Sequence, residues 1–347
     1  MRFAQAVLPI RQEGRVDIPV VELSGTPRER GEQHGRALRG EIEQCLEIYR
    51  AAIGREPAEL RDRALALEEQ AHDLVPDIAS EIEGIAAGAG IETWWVHVLN
   101  ARSELMSVAD GCTAVFQPKA RLLGQTWDWI ARLEKLFVVL RIERPDGHRL
   151  LTVSEPGMVG KIGISSAGLG CTLNFISSPG EHRGAPVHWI LRSVLEASDL
   201  ASARDFVDRS PPGQSGNVMV GSACGHGFDV EFAGVERTIR ELGVEPFAHT
   251  NHHLWRDIDP GELGPDSEAR LSRAGERIAK EDLGDAAALG ALLSDTEHDT
   301  YPICAPYERK YGARLGTLCT VVMELERRVL RVRRGPHPEA PFHELAV

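Results

Sequence analysis

Hairpin signals follow one another along the second half of this chain, and they limit the folds that it can adopt. Pro145-Asp146-Gly147 separates two β-rich runs, residues 137–143 and 148–154, and such a turn joins adjacent strands. The last hairpin signal pairs residues 317–324 with residues 329–333. Consecutive hairpins require antiparallel pairing, because parallel strands need long crossovers. The pattern therefore predicts packed antiparallel sheets and excludes a Rossmann-type sheet.

The first hundred residues have the composition of helices. Thr26-Pro27-Arg28-Glu29 is a capping box with proline at the first helical position, which predicts a helix from there to about Tyr49. Three more helices are predicted over residues 57–74, around residues 78–85 and over residues 93–108. Helices are also predicted in the second half, over residues 188–198, 201–209, 267–280 and 285–293. Helices and hairpins in this order predict an α+β fold.

The charge and cysteine content exclude several classes of protein. The 347 residues carry 39 basic and 52 acidic side chains, a net charge of −13, so nucleic acid and anionic membranes would be repelled. No secretory signal or long apolar run is visible near the N-terminus. The six cysteines form no CxxC pair, unlike a disulfide scaffold. We expect a cytoplasmic enzyme with reduced thiols and neither nucleic-acid nor membrane partners.

Cys112 is the first candidate for a catalytic residue. It follows Gly111 where the helical region gives way to the first hairpin, and Thr113 places a hydroxyl beside it. A nucleophilic thiol needs a base or a lowered pKa, because it is mostly protonated at neutral pH. A freed α-amino group on the same residue, with a pKa of roughly 7.7–8.0, would be such a base. The alternative is a buried cysteine that opens a core strand.

Three polar residues at strand ends are further candidates. Asp128 lies between Trp127 and Trp129, and a hairpin would bring it close to the preceding strand; the alternative is a solvated loop carboxylate. Asn174 and Asn251 also lie at strand ends. An asparagine amide is a neutral donor suited to an oxyanion. Asparagine is equally common in turns, so the residue type alone does not decide.

Five groups of motifs occur in order along roughly residues 20–333. They are Gly25-Thr26-Pro27-Arg28-Glu29-Arg30-Gly31 with His34-Gly35, Asp110-Gly111-Cys112-Thr113 with Gly124-Gln125-Thr126-Trp127-Asp128-Trp129, Leu173-Asn174-Phe175, His249-Thr250-Asn251-His252 and Gly316-Thr317-Leu318-Cys319-Thr320-Val321-Val322-Met323. Together they resemble the acyl-coenzyme A:6-aminopenicillanic acid acyltransferase family. These are self-processing N-terminal-nucleophile (Ntn) hydrolases, also classed as a cysteine peptidase family.

The resemblance implies a fold, a processing step and an activity. The fold would be a four-layer αββα sandwich of two antiparallel sheets. Self-cleavage between Gly111 and Cys112 would leave a helical segment 1–111 and a catalytic segment 112–347, packed as one domain. Cys112 would then act as both nucleophile and base, on an acyl amide or thioester. The implied partners are this small-molecule substrate and the chain's own cleaved N-terminal segment. No cofactor or metal is implied.

The resemblance also assigns roles to the remaining candidates. Asp128 matches the family's carboxylate near the nucleophile, Asn251 matches an oxyanion-hole asparagine, and Asn174 matches another active-site asparagine. Bile-salt-hydrolase-like relatives often carry Arg-Asn where this chain has Gln125-Thr126, which leaves the usual guanidinium unassigned. Arg314 is a candidate to replace it. The candidate substrate-binding residues are Thr113, Trp127, Trp129 and Arg314.

The sequence predicts a self-processing amidohydrolase or acyltransferase acting at a C–N amide bond, with an acyl-coenzyme A thioester as one candidate donor. One alternative is an unprocessed, non-catalytic binding protein on the same fold. Another is a zinc hydrolase that uses His249, His252 and His253, although no HExxH motif supports it. Hydrolysis and acyl transfer are not distinguished.

Two other groups of residues have simpler interpretations. The basic run at residues 327–334 predicts a solvated strand face, with contact to an anionic substrate such as a coenzyme A phosphate as the alternative. Cys171, Cys224 and Cys319 are predicted to be core packing residues.

Overall fold

The N-terminal part of the chain is helical after a single strand. The computed structural model describes residues 18–106, 111–176, 184–211, 215–234, 236–259, 264–310 and 313–347. Its first elements are β1 (Val20–Ser24), α1 (Pro27–Ala37), α2 (Arg39–Ile53), α3 (Pro57–Leu74), α4 (Pro76–Ala89), α5 (Thr93–Asn100) and α6 (Arg102–Leu105). Among all the described residues of the chain, no helix is both long enough and apolar enough to cross a bilayer.

The predicted first helix begins where expected but is shorter. Thr26 and Glu29 form the capping box, which confirms that prediction. The helix ends at Ala37, and the non-helical backbone of Leu38 separates it from α2. Glycine at position 31 lets α1 pack closely against α4, because a Cβ there would lie 2.0 Å from the carbonyl oxygen of Glu81 in α4. The predicted helix over residues 93–108 is likewise divided, and residues 107–110 lie outside the described ranges.

One sheet, the first sheet, contains β1 and seven later strands. These are β4 (Val138–Glu143), β5 (Arg149–Ser154), β6 (Ile162–Ser165), β7 (Leu169–Asn174), β8 (Ser215–Ser222), β9 (Gly227–Ala233) and β10 (Glu236–Leu242), in the order β1-β4-β5-β6-β7-β8-β9-β10 among the described residues. β1 pairs with β4 in parallel, so the prediction of purely antiparallel sheets is wrong at this edge. Parallel pairing is available here because a long connection, which contains α1–α6 and two strands of the other sheet, separates the two strands.

The second sheet carries the predicted nucleophile. Its strands are β2 (Gly111–Gln117), β3 (Leu122–Ile130), β11 (Phe247–His249), β12 (Glu308–Lys310), β13 (Ala313–Glu324), β14 (Val329–Arg334) and β15 (His343–Ala346). The described strands run in the order β11-β2-β3-β13-β14-β15, with β12 paired to β13. Each pairing is antiparallel.

The two sheets stack face to face between layers of helices. β2 and β3 lie against β7, and β13 lies against β6. The outer helices are α7 (Val187–Glu196) and α8 (Leu200–Arg209), of which α7 contacts the first sheet, and α9 (Gly264–Lys280) and α10 (Ala286–Leu292) on the second sheet. The result is a four-layer αββα sandwich, as predicted.

The N-terminal helices share one buried core with the sheets. Ile42 and Ile82 belong to the same apolar cluster as Phe116 and Val153. Polar contacts cross this interface as well, because the N–H of Gly157 donates to His34 Nε2 at 3.0 Å. Burial of this apolar surface packs the N-terminal helices and the two sheets into one unit.

Two predictions about side chains outside the site are wrong. Arg333 and Arg334 of the basic run are buried, not solvated, because their guanidinium groups lie over the rings of Phe342 and Phe137. Cys224 is exposed, since it lies in the turn between β8 and β9. Cys171 and Cys319 are buried as expected.

Candidate active site

Gly111 and Cys112 open the central hairpin of the second sheet. In the register of β2 and β3, Gly111 lies opposite Asp128. Cys112 lies opposite Trp127, whose other neighbour is Cys319 of β13. Directly opposed residues point to the same face of an antiparallel pair. Cys112 therefore points into the apolar layer between the sheets, whereas Gly111 and Asp128 belong to the face covered by α9 and α10.

Side chains from three separate elements hold the backbone of Cys112. Its N–H donates to Asn251 Oδ1 at 2.7 Å. Its carbonyl oxygen accepts from Asn174 Nδ2 at 3.1 Å and from Arg270 Nη1 at 2.6 Å. Asn174 ends β7, Asn251 follows β11 and Arg270 lies in α9. The fold thus brings Asn174 and Asn251 to Cys112 as the motifs suggested, and adds a guanidinium.

The carboxamide of Asn251 points its oxygen at the nitrogen of Cys112. Oδ1 also accepts from Arg270 Nη2 at 2.9 Å, and Nδ2 donates to the carbonyl oxygen of Phe175 at 2.8 Å. These partners fix the orientation of the amide, because Oδ1 faces two donors and Nδ2 faces an acceptor. An amide nitrogen carries two hydrogens, and the contact to Phe175 uses one of them.

Arg270 is the site residue that sequence reasoning missed. It is almost completely buried, and besides Cys112 and Asn251 it donates to Thr113 Oγ1 at 3.1 Å. Burial alone would lower its pKa, but the neighbouring carboxylates of Asp266 and Asp128 raise it above the ordinary value. The sequence offers only a weak signal, the i−3 and i+4 spacing that places Ser267 and Ala274 on the same helix face as Arg270.

Asp128 lies beside Gly111, at the peptide bond that the family resemblance predicts to be cleaved. Thr317 Oγ1 donates to its Oδ1 at 2.6 Å. A Cβ built on Gly111 would lie 3.1 Å from Asp128 Oδ2. The absence of a side chain on Gly111 therefore lets a buried carboxylate approach the backbone immediately before Cys112.

The inter-sheet side of Cys112 is lined by aromatic rings and buried charges. The Lys161 ammonium lies 3.4 Å from the centre of the Trp127 ring. Trp129 Nε1 donates to the Tyr49 hydroxyl at 2.8 Å, and that hydroxyl contacts the Glu155 carboxylate. Trp127 and Trp129, predicted as substrate-binding residues, are thus both buried in this structure.

Two polar atoms close to Cys112 have no hydrogen-bond partner within the described part of the chain. They are Asn174 Oδ1 and Trp127 Nε1. Buried polar groups usually find a partner, so an acceptor and a donor beside Cys112 are suited to a polar substrate. Cys112 itself has no exposed surface, so a substrate cannot reach the thiol in this arrangement.

The histidine cluster is divided between two partners. His249 Nε2 and His253 Nδ1 lie 3.0 and 3.2 Å from the Glu231 carboxylate, whereas His252 Nδ1 lies 2.7 Å from Ser267 Oγ. The other ring nitrogen of His249 faces the carbonyl oxygen of Thr250 at 2.8 Å. Both nitrogens of His249 face acceptors, so both carry protons. Burial would lower the pKa of His249, but Asp229 and Glu231 raise it above the ordinary value.

This protonation state bears on the zinc alternative. The ligand atoms of Asp229, Glu231 and His249 lie within 4.8 Å of one another, which is compact enough to enclose an ion. An imidazolium, however, has no free lone pair for a metal. The cluster is therefore accounted for as a buried ion pair with hydrogen bonds, and the residues present do not favour a zinc centre.

The other two predicted substrate-binding residues lie in different surroundings. Thr113 is buried, and its N–H donates to Thr126 Oγ1 at 3.2 Å while its hydroxyl accepts from Arg270. Arg314 is exposed, with its guanidinium 5.6 Å from the centre of the Tyr307 ring. The guanidinium beside Cys112 is therefore that of Arg270. Gln125, at the position of the missing arginine, instead accepts from the N–H of Leu173 at 3.0 Å.

The fold and the site together define a two-sheet sandwich covered by helices, with a cysteine at the start of the central hairpin of one sheet. The profile of one family, acyl-coenzyme A:6-aminopenicillanic acid acyl-transferase, matches residues 115–337. The 40 kDa form of the acyltransferase of that name from Emericella nidulans is 30% identical over 334 residues, covering 91% of this chain and 92% of the relative. The chain belongs to this acyltransferase family and is an enzyme of that family.

Solved structures show a weaker likeness. An N-acylethanolamine-hydrolyzing acid amidase ortholog from Caenorhabditis elegans is 14% identical with a TM-score of 0.46, and covers 62% of this chain and 93% of its own. A mutant conjugated bile acid hydrolase from Clostridium perfringens has the same identity and TM-score, with coverages of 68% and 92%. Penicillin V acylase from Agrobacterium tumefaciens is 12% identical with a TM-score of 0.45, with coverages of 68% and 86%. Likeness at this level says nothing about this chain's substrate.

Proposed function

We propose that this protein cuts its own chain between Gly111 and Cys112 and then uses Cys112 to cleave or transfer an acyl group at a C–N amide bond. The observation that carries the proposal is the set of contacts on the backbone of Cys112. Asn251, Asn174 and Arg270 bind its N–H and carbonyl groups. A cysteine that served only as packing would have no need of three polar side chains on its own peptide groups.

Self-cleavage begins with attack by the Cys112 sulfur on the carbonyl carbon of Gly111. The new C–S bond forms as the C–N bond breaks, and the thiol proton passes to the departing nitrogen. Water then hydrolyses the thioester, which leaves a carboxylate on Gly111 and a free amine and thiol on Cys112. Asn251 Oδ1 already accepts from this nitrogen, so it is in place to orient the α-amine that the cut releases.

Turnover repeats the same chemistry on a substrate. The α-amine, with a pKa of roughly 7.7–8.0, takes the thiol proton. The thiolate attacks the acyl carbonyl, the α-ammonium returns a proton to the leaving amine, and an acyl thioester forms on Cys112. Water or an acceptor amine then discharges it. The second hydrogen of Asn251 Nδ2 is a candidate donor to the oxyanion, as the family resemblance suggests, and one such donor contributes about 10²–10³ in rate.

Arg270 and Asp128 supply fixed charges around this reaction. Arg270 donates to both Asn251 Oδ1 and the Cys112 carbonyl oxygen, so it fixes the Asn251 amide and Cys112 relative to each other. A nearby cation also favours a thiolate over a thiol. Asp128, fixed by Thr317, lies beside Gly111 and is suited to stabilise the α-ammonium after cleavage.

Self-cleavage would also make the buried Cys112 thiol accessible. Cys112 is enclosed in the uncut chain, and cleavage frees its N-terminal side from Gly111. A freed N-terminus can adjust without displacing the hairpin. Processing would thereby expose the thiol to substrate at the moment it creates the base.

The substrate class follows from the family and the chemistry. The Emericella nidulans relative is named for acyl transfer between coenzyme A and 6-aminopenicillanic acid. We extend to this chain only the shared chemistry, an acyl group on an amine or on a thioester. Hydrolysis and transfer differ solely in whether water or an amine discharges the acyl-enzyme.

Substitution of Cys112 tests the proposal. Cys112→Ala should give an unprocessed chain without turnover, assayed by mass spectrometry on a panel of N-acyl amines and acyl thioesters. Cys112→Ser should process slowly or partly and turn over little, because a hydroxyl is harder to ionise than a thiol. Cys319→Ala is the matched control, since Cys319 also opposes Trp127; it should process and turn over normally. Wild-type turnover by Cys112→Ala would refute the mechanism.

A further inference from the structure

A buried carboxylate behind the site binds the segment that presents Asn251. Glu231 lies on β9 of the first sheet and has no exposed surface. Its Oε1 accepts from the N–H of Leu254 at 2.6 Å and from His249 Nε2 at 3.0 Å. Its Oε2 accepts from His253 Nδ1 at 3.2 Å and from the N–H of Trp255 at 3.3 Å. All four donors belong to residues 249–255.

This segment has no regular structure after His249, where β11 ends. β11 itself pairs with β2, and His249 lies opposite Ala114. The carbonyl oxygen of His249 accepts from Asn174 Nδ2 at 3.3 Å. Asn251 is two residues further on, so its place beside Cys112 depends on how the chain leaves β11.

Glu231 links the two sheets at this point. Its carboxylate accepts hydrogen bonds from residues on both sides of Asn251 in the chain. The donors are His249 before Asn251 and residues 253–255 after it. A short irregular segment bound at both ends to one fixed carboxylate has little freedom to shift. The second sheet's helix α9 adds one more contact, because the N–H of Asn251 donates to Ser267 Oγ at 2.7 Å.

Glu231 and His249 form a buried pair of opposite charges. Burial would raise the pKa of Glu231, but hydrogen bonds from His249, His253 and the N–H of Leu254 lower it to about 2. The carboxylate is therefore ionised and faces the His249 imidazolium. Its neighbour Asp229 accepts from Asn217 Nδ2 at 2.5 Å and from Trp255 Nε1 at 3.1 Å, so it braces the same segment from further out.

We propose that Glu231 is a positioning residue for the reaction, which acts by fixing residues 249–255 so that Asn251 meets the nitrogen of Cys112. This rests on the proposed function, in which that nitrogen is first the scissile amide and then the base. Charge-assisted bonds suit this task, because they are stronger and more directional than neutral ones.

Glu231→Gln tests the inference, because it keeps the shape and removes the charge. We expect slower self-cleavage and a kcat reduced about 10-fold or more, with KM nearly unchanged, since second-layer partners of catalytic groups typically have effects of this order. Glu81→Gln is the matched control. Glu81 is an equally buried carboxylate bound to Arg30 and Arg192, so its loss should lower Tm and leave kcat unchanged.

A double-mutant cycle with Asn251→Ala separates positioning from general stability. If Glu231 acts through Asn251, Glu231→Gln should slow self-cleavage no further in the Asn251→Ala background. Self-cleavage is the readout, because it can be followed over hours even when slow. Should Glu231→Gln fail to fold, His253→Ala removes one of the four donors and should show a smaller effect with the same coupling.

Three results would overturn the inference. Additive effects in the cycle would show that Glu231 does not act through Asn251. An unchanged kcat in Glu231→Gln would show that the segment needs no charge. Stoichiometric metal that is present in the wild type and lost in Glu231→Gln would make the carboxylate a ligand. None of these results changes the expected behaviour of the Cys112 variants. Failure of this inference can therefore be told apart from failure of the proposed function.

Discussion

Glu104 is a buried carboxyl whose ionisation should work against folding. It lies in α6 with only 8% of its surface exposed. Its Oε1 accepts from the N–H of Val187 at 2.9 Å, whereas Oε2 has no hydrogen-bond partner among the described residues. Burial raises its pKa from an ordinary 4.5 to about 7. We therefore expect Glu104→Gln, which is neutral at every pH, to stabilise the protein above neutrality.

The magnitude follows from linkage between proton binding and folding. A carboxyl whose pKa is raised by folding destabilises the native state progressively as the pH rises from 4.5 to about 7, and by a constant amount above that. The difference between about 7 and 4.5, at about 1.4 kcal/mol per pH unit, corresponds to roughly 3–3.5 kcal/mol. Glu104→Gln should thus exceed the wild type by about 3 kcal/mol at pH 8 and by almost nothing at pH 4.

Urea denaturation at pH 4, 6 and 8 measures this difference directly. Both chains should carry Cys112→Ala, so that each unfolds as one piece and the transition is reversible. Glu59→Gln is a suitable control, because Glu59 lines the same cavity of about 610 Å³ but is exposed. A Glu104→Gln advantage that did not grow between pH 4 and pH 8 would refute the reasoning.

Two further predictions concern the site. Asp128→Asn should fold normally by circular dichroism yet process slowly or turn over poorly, because the carboxylate beside Gly111 is lost; near-normal rates would show that its charge has no role. Arg270→Lys keeps the charge but cannot reach Cys112, Thr113 and Asn251 together. Its kcat should fall roughly 10²-fold, given 1.5–3 kcal/mol for a hydrogen bond to a charged group, and an unchanged kcat would assign Arg270 to packing alone.

Local signals predicted most of the fold. The capping box at Thr26, the turn at Pro145-Asp146-Gly147 and the β-rich runs on either side of it act between near neighbours, so they are legible in the sequence. The parallel pairing of β1 with β4 joins residues 119 positions apart at Val20 and Val139. No local pattern encodes such a contact. Stacking of the sheets was inferred from element order and from family resemblance.

Sequence reasoning identified members of the candidate site only where a residue sits in a motif. Cys112, Asp128, Asn174 and Asn251 each lie at a strand end within a recognisable motif. Arg270 lies in an amphipathic helix, where an arginine looks like a solvated residue, and its partner Cys112 is 158 positions away. Glu231 was hidden in the same way inside a strand. Charged residues buried by tertiary contacts leave little trace in a single sequence.

The most direct test of self-processing is the state of the purified active protein. Intact mass spectrometry and N-terminal sequencing should find two fragments that remain associated, and the larger should begin Cys-Thr-Ala-Val at Cys112. The same preparation of Cys112→Ala should contain one chain. A fully active wild-type protein that remains a single chain of 38.0 kDa would contradict the account.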